Sequence, residues 1–415
     1  MLSLNMFDLV RGFAQVVDMV NTTLAGHHQR VAYMVDLLCR RLDLDRTSWN
    51  QVVMAAMLHD VGVIPLHERI DHLVFEKDMG RHSVAGWLLL DSCPVLHAEA
   101  KIIRYHHIHW DRAAALSEEE RPAARLGNLI HLADTADVFV RTNSSPDNLL
   151  RLIRQDAGRA YHPESARAAA DIFSAPGFFG SLTEASSELT LAPCPECLLS
   201  EEKAVMFSLL FSYIIDARSH FTATHSSGVA HLVRDLHERL NFPEKDRRSI
   251  FVAGLLHDIG KMGVPLHLLE KPGPLTAEEF DQVSRHARLS QKVLASIPGF
   301  EKIAPWGAMH HEKLNGRGYP DGLRGEEIPP EARLTAVADI LTALTEDRPY
   351  RPGLRKNECL KILDEMVGQK ALDREAVAAV HDNFEEISQV RIQAQARAAR
   401  FFRHLIQNIQ EATAA

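Results

Sequence analysis

Cysteine is scarce in this chain: five residues in 415, at Cys39, Cys93, Cys194, Cys197 and Cys359. Their odd number and wide scatter exclude a disulfide framework and point to a reducing, cytoplasmic setting. Cys194 and Cys197 form a single CPEC, and without a second CxxC it reads as a plain loop rather than half of a zinc site. A basic excess is missing too. With 46 Lys and Arg against 55 Asp and Glu the formal net charge is −9, which argues against a DNA-binding role. A small anionic substrate stays compatible with that charge, because a bound metal supplies positive charge locally. The longest apolar run, around residues 205–215, is too short to cross a bilayer. The N-terminus has no basic stretch followed by an apolar one, so neither a signal peptide nor a membrane partner is expected. Strand-like alternation is rare. What remains is a globular profile, 46% hydrophobic and 24% charged, with length enough for two ordinary domains.

What the chain does have is histidine, 23 residues of it, and much of it is written twice. The segment FAQVVDMVNTTLAGHHQRVAYMV from Phe13 aligns without a gap on FSYIIDARSHFTATHSSGVAHLV from Phe211. Asp18 falls on Asp216 and His27 on His225, and the same offset of 198 places His59-Asp60 of MLHDVG on His257-Asp258 of LLHDIG. Six extra residues then enter the second copy, within KMGVPLHLLEKPGPLTAEEF. After them His82 falls on His286, and 24 residues further on His106-His107 fall on His310-His311. Asp134 falls on Asp339, one residue out of step. The expected organisation is a first domain over 1–180, a linker over 181–200, a second domain over 201–390 and a C-terminal amphipathic helix over 391–415. The arginine-rich face of that helix reads as solvated.

Both copies read as helical. Val31, Met34, Val35 and Leu38 recur at the 3.6-residue period, as do Val229, Leu232, Val233 and Leu236. Val52, Met54, Ala55 and Leu58 lead into His59 in the same way. The predicted fold is all-α, two tandem bundle-like domains.

Imidazole and carboxylate without thiolate suit Fe, Mn or Zn. In the second copy the candidate set is His225, His257, Asp258, His286, His310, His311 and Asp339. Seven donors are too many for one tetrahedral ion and right for two ions that share a bridging carboxylate. Paired metals about 3.5–4 Å apart commonly hydrolyse phosphate esters, lowering the pKa of bound water and neutralising phosphoryl charge. A buried polar network would explain adjacent histidines poorly, since helical neighbours project about 100° apart. The first copy carries a second candidate metal site: His27, His59, Asp60, His82, His106, His107 and Asp134.

These residues resemble a known family. His257-Asp258 is similar to the doublet that names the HD superfamily of metal-dependent phosphohydrolases. HDIGK at 257–261, LEKPGPLTAEE, HHEKLNGRGYPDGL at 310–323 and IPPEARLTAVADILTALTEDRPYR resemble its HD-GYP subfamily across about 205–385. Gly318-Tyr319-Pro320 is the second naming motif. The resemblance implies an all-helical domain, a centre of two or three iron or manganese ions, and hydrolysis of cyclic dinucleotides in bacterial second-messenger signalling. The usual substrate is cyclic di-GMP, opened to pGpG and sometimes on to GMP; 3′3′-cyclic GMP-AMP is an alternative. A non-catalytic scaffold binding a GGDEF-type partner, or a dimer, is also compatible.

The resemblance further implies that Asp258 bridges the metals. His225, His257 and Asp339 would complete one site, and His286, His310 and His311 the other. Lys261 would hold the scissile phosphate, making Asp258 and Lys261 the catalytic pair. Some members add a third metal through a Glu four residues before the first His; Phe221 stands there, so two ions are expected. Gly316, Gly318 and Gly322 permit close approach and positive φ, and Pro320 stiffens the turn. Arg317, Gly318, Tyr319 and Pro320 are expected to contact substrate, with Arg348 and Arg351 in support. The first copy departs from this pattern. Val63 replaces the lysine, KPGPLT is missing, and HHIHWDRAAAL follows the His pair where the GYP loop should be. It is expected to hydrolyse, to bind metal only, or to regulate by packing on the second copy.

Overall fold

The computed structural model describes residues 4–20, 25–66, 80–142, 144–187, 197–218, 224–347 and 352–414. Cys194, Phe221, Arg348, Arg351 and residues 188–196 of the expected linker lie outside them. The chain is all-α as expected. Among the described residues the strands are Leu4–Asn5 and Leu198–Leu199, one short antiparallel pair. Two compact units result: Met1–Asp8 with Leu198–His404, and Leu9–Cys197 with Leu405–Ala415.

The first histidine set rides on α1 (Met6–Asp18), α2 (His27–Arg41), α3 (Arg46–Leu58), α4 (Gly80–Asp91), α5 (His97–Arg104) and α6 (Arg121–Arg141). The second rides on α7 (Glu201–Ala217), α8 (His225–Arg239), α9 (Arg247–Leu256), α10 (Ala277–Ala295), α11 (Ile303–Ala308) and α12 (Pro330–Thr345). The duplication reaches the backbone. Helices α2 and α8 are both 15 residues long and each opens on a histidine. Both are followed by a left-handed Asx residue, Asp43 at φ 51° and Asn241 at φ 57°, side chains that tolerate that conformation.

The periodic apolar residues form the cores. Val31, Met34, Val35, Leu38, Val229, Leu232, Val233 and Leu236 are all fully buried, each contributing about 1.5–3 kcal/mol. Helix starts are set by local chemistry. Asp45 accepts from the Thr47 and Ser48 amides at 3.0 Å to begin α3. Thr276 and Glu279 make a capping box that begins α10.

A last helix, α13, runs from Phe384 to Ala414. Its arginine face is not uniformly solvated, contrary to expectation. Arg391 is buried because it turns inward, donating to Gln395 Oε1 at 2.5 Å in the neighbourhood of Glu346.

Candidate metal centre

The His-Asp doublets sit at helix ends. In the second half α9 stops at Leu256, His257 caps it, and Asp258 leads into a 3-10 turn over Ile259–Gly263. That turn lies directly on α10: a Cβ at Gly260 would come within 2.0 Å of the His286 carbonyl oxygen. The glycine of HDIG is therefore what brings the doublet against the next histidine. Gly62 does the same in the first half, where a Cβ would meet the His82 carbonyl at 2.1 Å.

The histidine pairs were expected to sit on helices, and here the structure differs. Helix α11 ends at Ala308 and α5 at Arg104, before His310-His311 and His106-His107. Freed from the helical step, neighbouring rings face one cluster, with centroids 3.9 Å apart in the second half and 4.1 Å in the first.

Four of the five rings have one nitrogen committed elsewhere. His257, His286 and His310 place Nδ1 against the carbonyl oxygens of Gly254, Val283 and Gly307, at 2.8, 2.7 and 2.7 Å. A carbonyl only accepts, so Nδ1 carries the proton and Nε2 keeps a free lone pair. His225 is oriented instead by Glu346, with Nδ1 3.1 Å from Oε2, and its Nε2 lies 3.0 Å from Asp339 Oδ1. Asp258 stands between two groups. Its Oδ2 is 3.1 Å from His257 Nε2, while Oδ1 is 3.3 Å from His286 Nε2 and 3.7 Å from His310 Nε2.

The donors fall into two clusters, His225/His257/Asp339 and Asp258/His286/His310/His311, each with its ligand atoms within 4.8 Å of one another. His257 Nε2, His310 Nε2 and Asp258 Oδ1 are buried with no hydrogen-bond partner. Such orphans cost about 1–3 kcal/mol each, a cost that a cation at their focus removes. The donor set fits divalent metal.

At the His310-His311 pair and at Asp258 electrostatics agree with that use. Burial and the neighbouring imidazoles push His310 down to about 3 and His311 well below its ordinary value, leaving the neutral form that ligates. Burial opposes the charge on Asp258, but His257 and Lys261 hold its carboxyl well below the usual range.

The rim of this site is built by the predicted loop. Lys261 pairs with Asp258 while its side chain stays 26% exposed. The Tyr319 ring lies 4.6 Å from that of His311, tilted by 32°. Gly318 is obligatory, since a Cβ there would lie 2.4 Å from the Lys313 nitrogen. Gly316 and Gly322 take φ of 75° and 69°, and the Tyr319–Pro320 peptide is cis. Arg317 is exposed.

Four residues that hold this arrangement were not anticipated. Glu312 accepts from the amides of Asp321, Gly322 and Leu323 at 2.6, 3.2 and 3.0 Å, pinning the loop. Its signal was its place directly after the His pair. Arg288 of α10 donates to the Pro320 carbonyl at 3.0 Å and pairs with Asp321 at 2.8 Å. Glu346 orients His225 and is itself held by Gln395 of α13. These partners lie 32, 121 and 49 residues apart in sequence, so no local pattern announced them.

All seven candidates of the first half also converge. His27 Nε2 is 3.3 Å from His59 Nε2 and 3.5 Å from both Asp60 Oδ2 and Asp134 Oδ1. Asp60 again spans two groups, with Oδ2 3.3 Å from His59 and Oδ1 3.5 Å from His82. His82 Nε2 lies 3.2 Å from His106 Nε2 and 3.0 Å from His107 Nε2. His59 and His106 use the carbonyls of Ala56 and Ile103 for Nδ1. His27 uses Asp137, at 2.7 Å, which Arg30 and Arg141 hold at 2.5 and 3.0 Å. One residue outside the expected set joins them, His28.

Comparison with known proteins agrees with the duplication. Residues 24–138 and residues 209–376 each match the HD domain. The chain is 29% identical to 3′3′-cGAMP-specific phosphodiesterase 1 of Vibrio cholerae over 396 residues, 91% of this chain and 92% of that protein. It is 32% identical to 3′3′-cGAMP-specific phosphodiesterase 3 of the same organism over 277 residues, 66% and 60% of the two chains. A cyclic di-GMP phosphodiesterase of Pseudomonas aeruginosa is 38% identical over 162 residues, 39% of each chain. The crystal structure of a cyclic GMP-AMP-specific phosphodiesterase of V. cholerae superposes with a TM-score of 0.64 at 24% identity, covering 96% of this chain and 98% of that one. The fold is shared.

Proposed function

Because this chain belongs to the HD family in both halves, its second half being of the HD-GYP type, we propose that it is a metal-dependent phosphodiesterase that opens cyclic dinucleotides. The observation that carries this reading is the convergence of seven imidazole and carboxylate donors in the second half, with Lys261 at their edge. The proposed holding of two iron or manganese ions assigns His225, His257 and Asp339 to one, His286, His310 and His311 to the other, and Asp258 to both. Bound there, the ions would activate water and neutralise phosphoryl charge.

The rest falls to the chain's own groups. Lys261, now paired with Asp258, turns to a non-bridging oxygen of the scissile phosphate, where its charge balances that growing as the 3′-oxygen leaves. Tyr319 and the half-exposed Phe280, whose rings stand 5.8 Å apart, offer faces on which a base stacks. The exposed guanidinium of Arg317 is assigned to the second phosphate, and Gly318 and Pro320 to shaping the loop that carries it.

Cyclic di-GMP and 3′3′-cyclic GMP-AMP both suit this site. The second is favoured by one observation: a relative matched over nine-tenths of both chains is named for it. The test is product analysis of both dinucleotides with iron-loaded and manganese-loaded full-length protein. Linear dinucleotide is expected, faster from 3′3′-cyclic GMP-AMP. Failure of metal-replete protein to turn over either would end the reading.

A further inference from the structure

The two halves differ at one buried position with a chemical consequence. His28 stands where the second half has Ser226. In the second half Asp216 accepts from the Ser226 hydroxyl at 2.6 Å and from its amide at 3.0 Å. In the first half the counterpart Asp18 faces His28 Nδ1 at 2.6 Å and accepts from its amide at 3.3 Å. One carboxylate thus satisfies a hydroxyl in one half and orients an imidazole in the other. His28 is fully buried and its Nε2 has no hydrogen-bond partner. That nitrogen lies 4.0 Å from Asp60 Oδ2, in a group whose donor atoms are all within 4.8 Å of one another. The His27, His28 and His59 rings have centroids 5.0–5.1 Å apart. A carboxylate on Nδ1 with a free Nε2 turned into a donor cluster is how ligating histidines are held.

We infer that the first half holds a divalent ion in a closed site formed by His27, His28, His59 and Asp60, with Asp18 and Asp137 orienting His28 and His27. Three imidazoles and a carboxylate suit tetrahedral zinc, and His28 adds an imidazole to the positions that His225, His257 and Asp258 occupy in the second half. In the second half the corresponding position carries no imidazole, and the Ser226 hydroxyl is turned to Asp216. The extra imidazole makes the first half a retained metal site without hydrolytic chemistry, in keeping with Val63 in place of the lysine.

The test uses full-length protein carrying His257→Ala and Asp258→Ala, so that the second half neither turns over nor keeps its metal cluster. Zinc affinity is read by competition with a chromophoric chelator, and cobalt(II) absorption reports tetrahedral coordination. The parent is expected to bind zinc tightly and to give the intense tetrahedral cobalt bands. His28→Ser, which rebuilds the Asp–Ser pair already present in the second half, should weaken zinc at least about 100-fold and remove those bands, with helical circular dichroism unchanged. Asp18→Asn, which loosens His28 without removing it, should weaken zinc about 10- to 100-fold. Unchanged affinity and spectrum in both variants, or no zinc bound by the parent, would overturn the inference. The readout is metal occupancy, so the result is independent of whether the second half hydrolyses anything.

Discussion

The two halves of the molecule surround nearly identical donor clusters with different rims. In the second half Lys261 reaches the edge of the cluster, and the Gly318-Tyr319-Pro320 loop stands over it, pinned by Glu312 and Arg288. In the first half Val63 is buried where the lysine would be. Past His107 the chain turns into a short helix at Trp110–Ala113, and Ile108, Trp110 and Leu116 pack on an apolar cluster of Tyr105, Ala113 and Ala124. Tyr105 closes that plug by donating to Glu120 at 2.6 Å. The donors are demanding of geometry and have been kept. The rim is built from loops, which tolerate change at lower energetic cost, and there the halves have parted. A donor cluster and the rim that surrounds it are thus separable features of one fold.

The comparison breaks most sharply if both halves do chemistry. His257→Ala or Asp258→Ala should lower kcat by at least about 10³-fold in purified, metal-quantified protein, while the helical circular dichroism stays. His106→Ala, in the first half, should leave kcat within about threefold. Equal losses from the two halves would show that both are needed for turnover. The next largest effect falls on the rim. Lys261→Val, which gives the second half the residue of the first, should cost about 10²-fold in kcat with metal content unchanged. Gly318→Ala forces the loop away from Lys313 and should reduce kcat/KM about tenfold, again without loss of metal.

The smallest effect concerns stability and rests on a residue of the first half. Glu99 of α5 is buried where the second half has Ile303, and burial pushes its carboxyl up to about 7. A folded-state value above the unfolded one means that the folded state binds the extra proton. The stabilisation is full below about pH 4.5, declines as pH rises, and is gone above about 7. Its span is about 3 kcal/mol. Glu99→Ile should flatten the pH dependence of the unfolding midpoint across that window and raise it at pH 8. A dependence that survives the substitution would place its origin elsewhere.

Much of the site could be read before any coordinates, for a physical reason. The metal donors here are His and Asp, side chains that seldom lie buried without partners, so their recurrence at one offset stands out against the apolar pattern. The HD doublets, the histidine pairs and the trailing aspartates were found in that way, and the valine and leucine periodicity revealed the helices that carry them. Less was visible of what holds those donors. The partners of His225 and of the GYP loop, Glu346 and Arg288, are two charged residues among many, and their roles exist only through contacts far apart in the chain. The helix ends before His106 and His310 were missed as well. Helical periodicity runs up to these pairs, and only the packing of the following turn against neighbouring helices decides where the last turn unwinds.

By itself, then, the sequence determined the duplicated all-helical plan and the identity of the donors, because hydrophobic period and metal chemistry both act through residue type. The tertiary structure alone decided which nitrogen of each ring is free, which carboxylate orients it, and that Asp18 holds the His28 imidazole while its counterpart Asp216 takes up the Ser226 hydroxyl. Those outcomes depend on distances of a few ångströms between helices, and a one-dimensional spacing does not carry them.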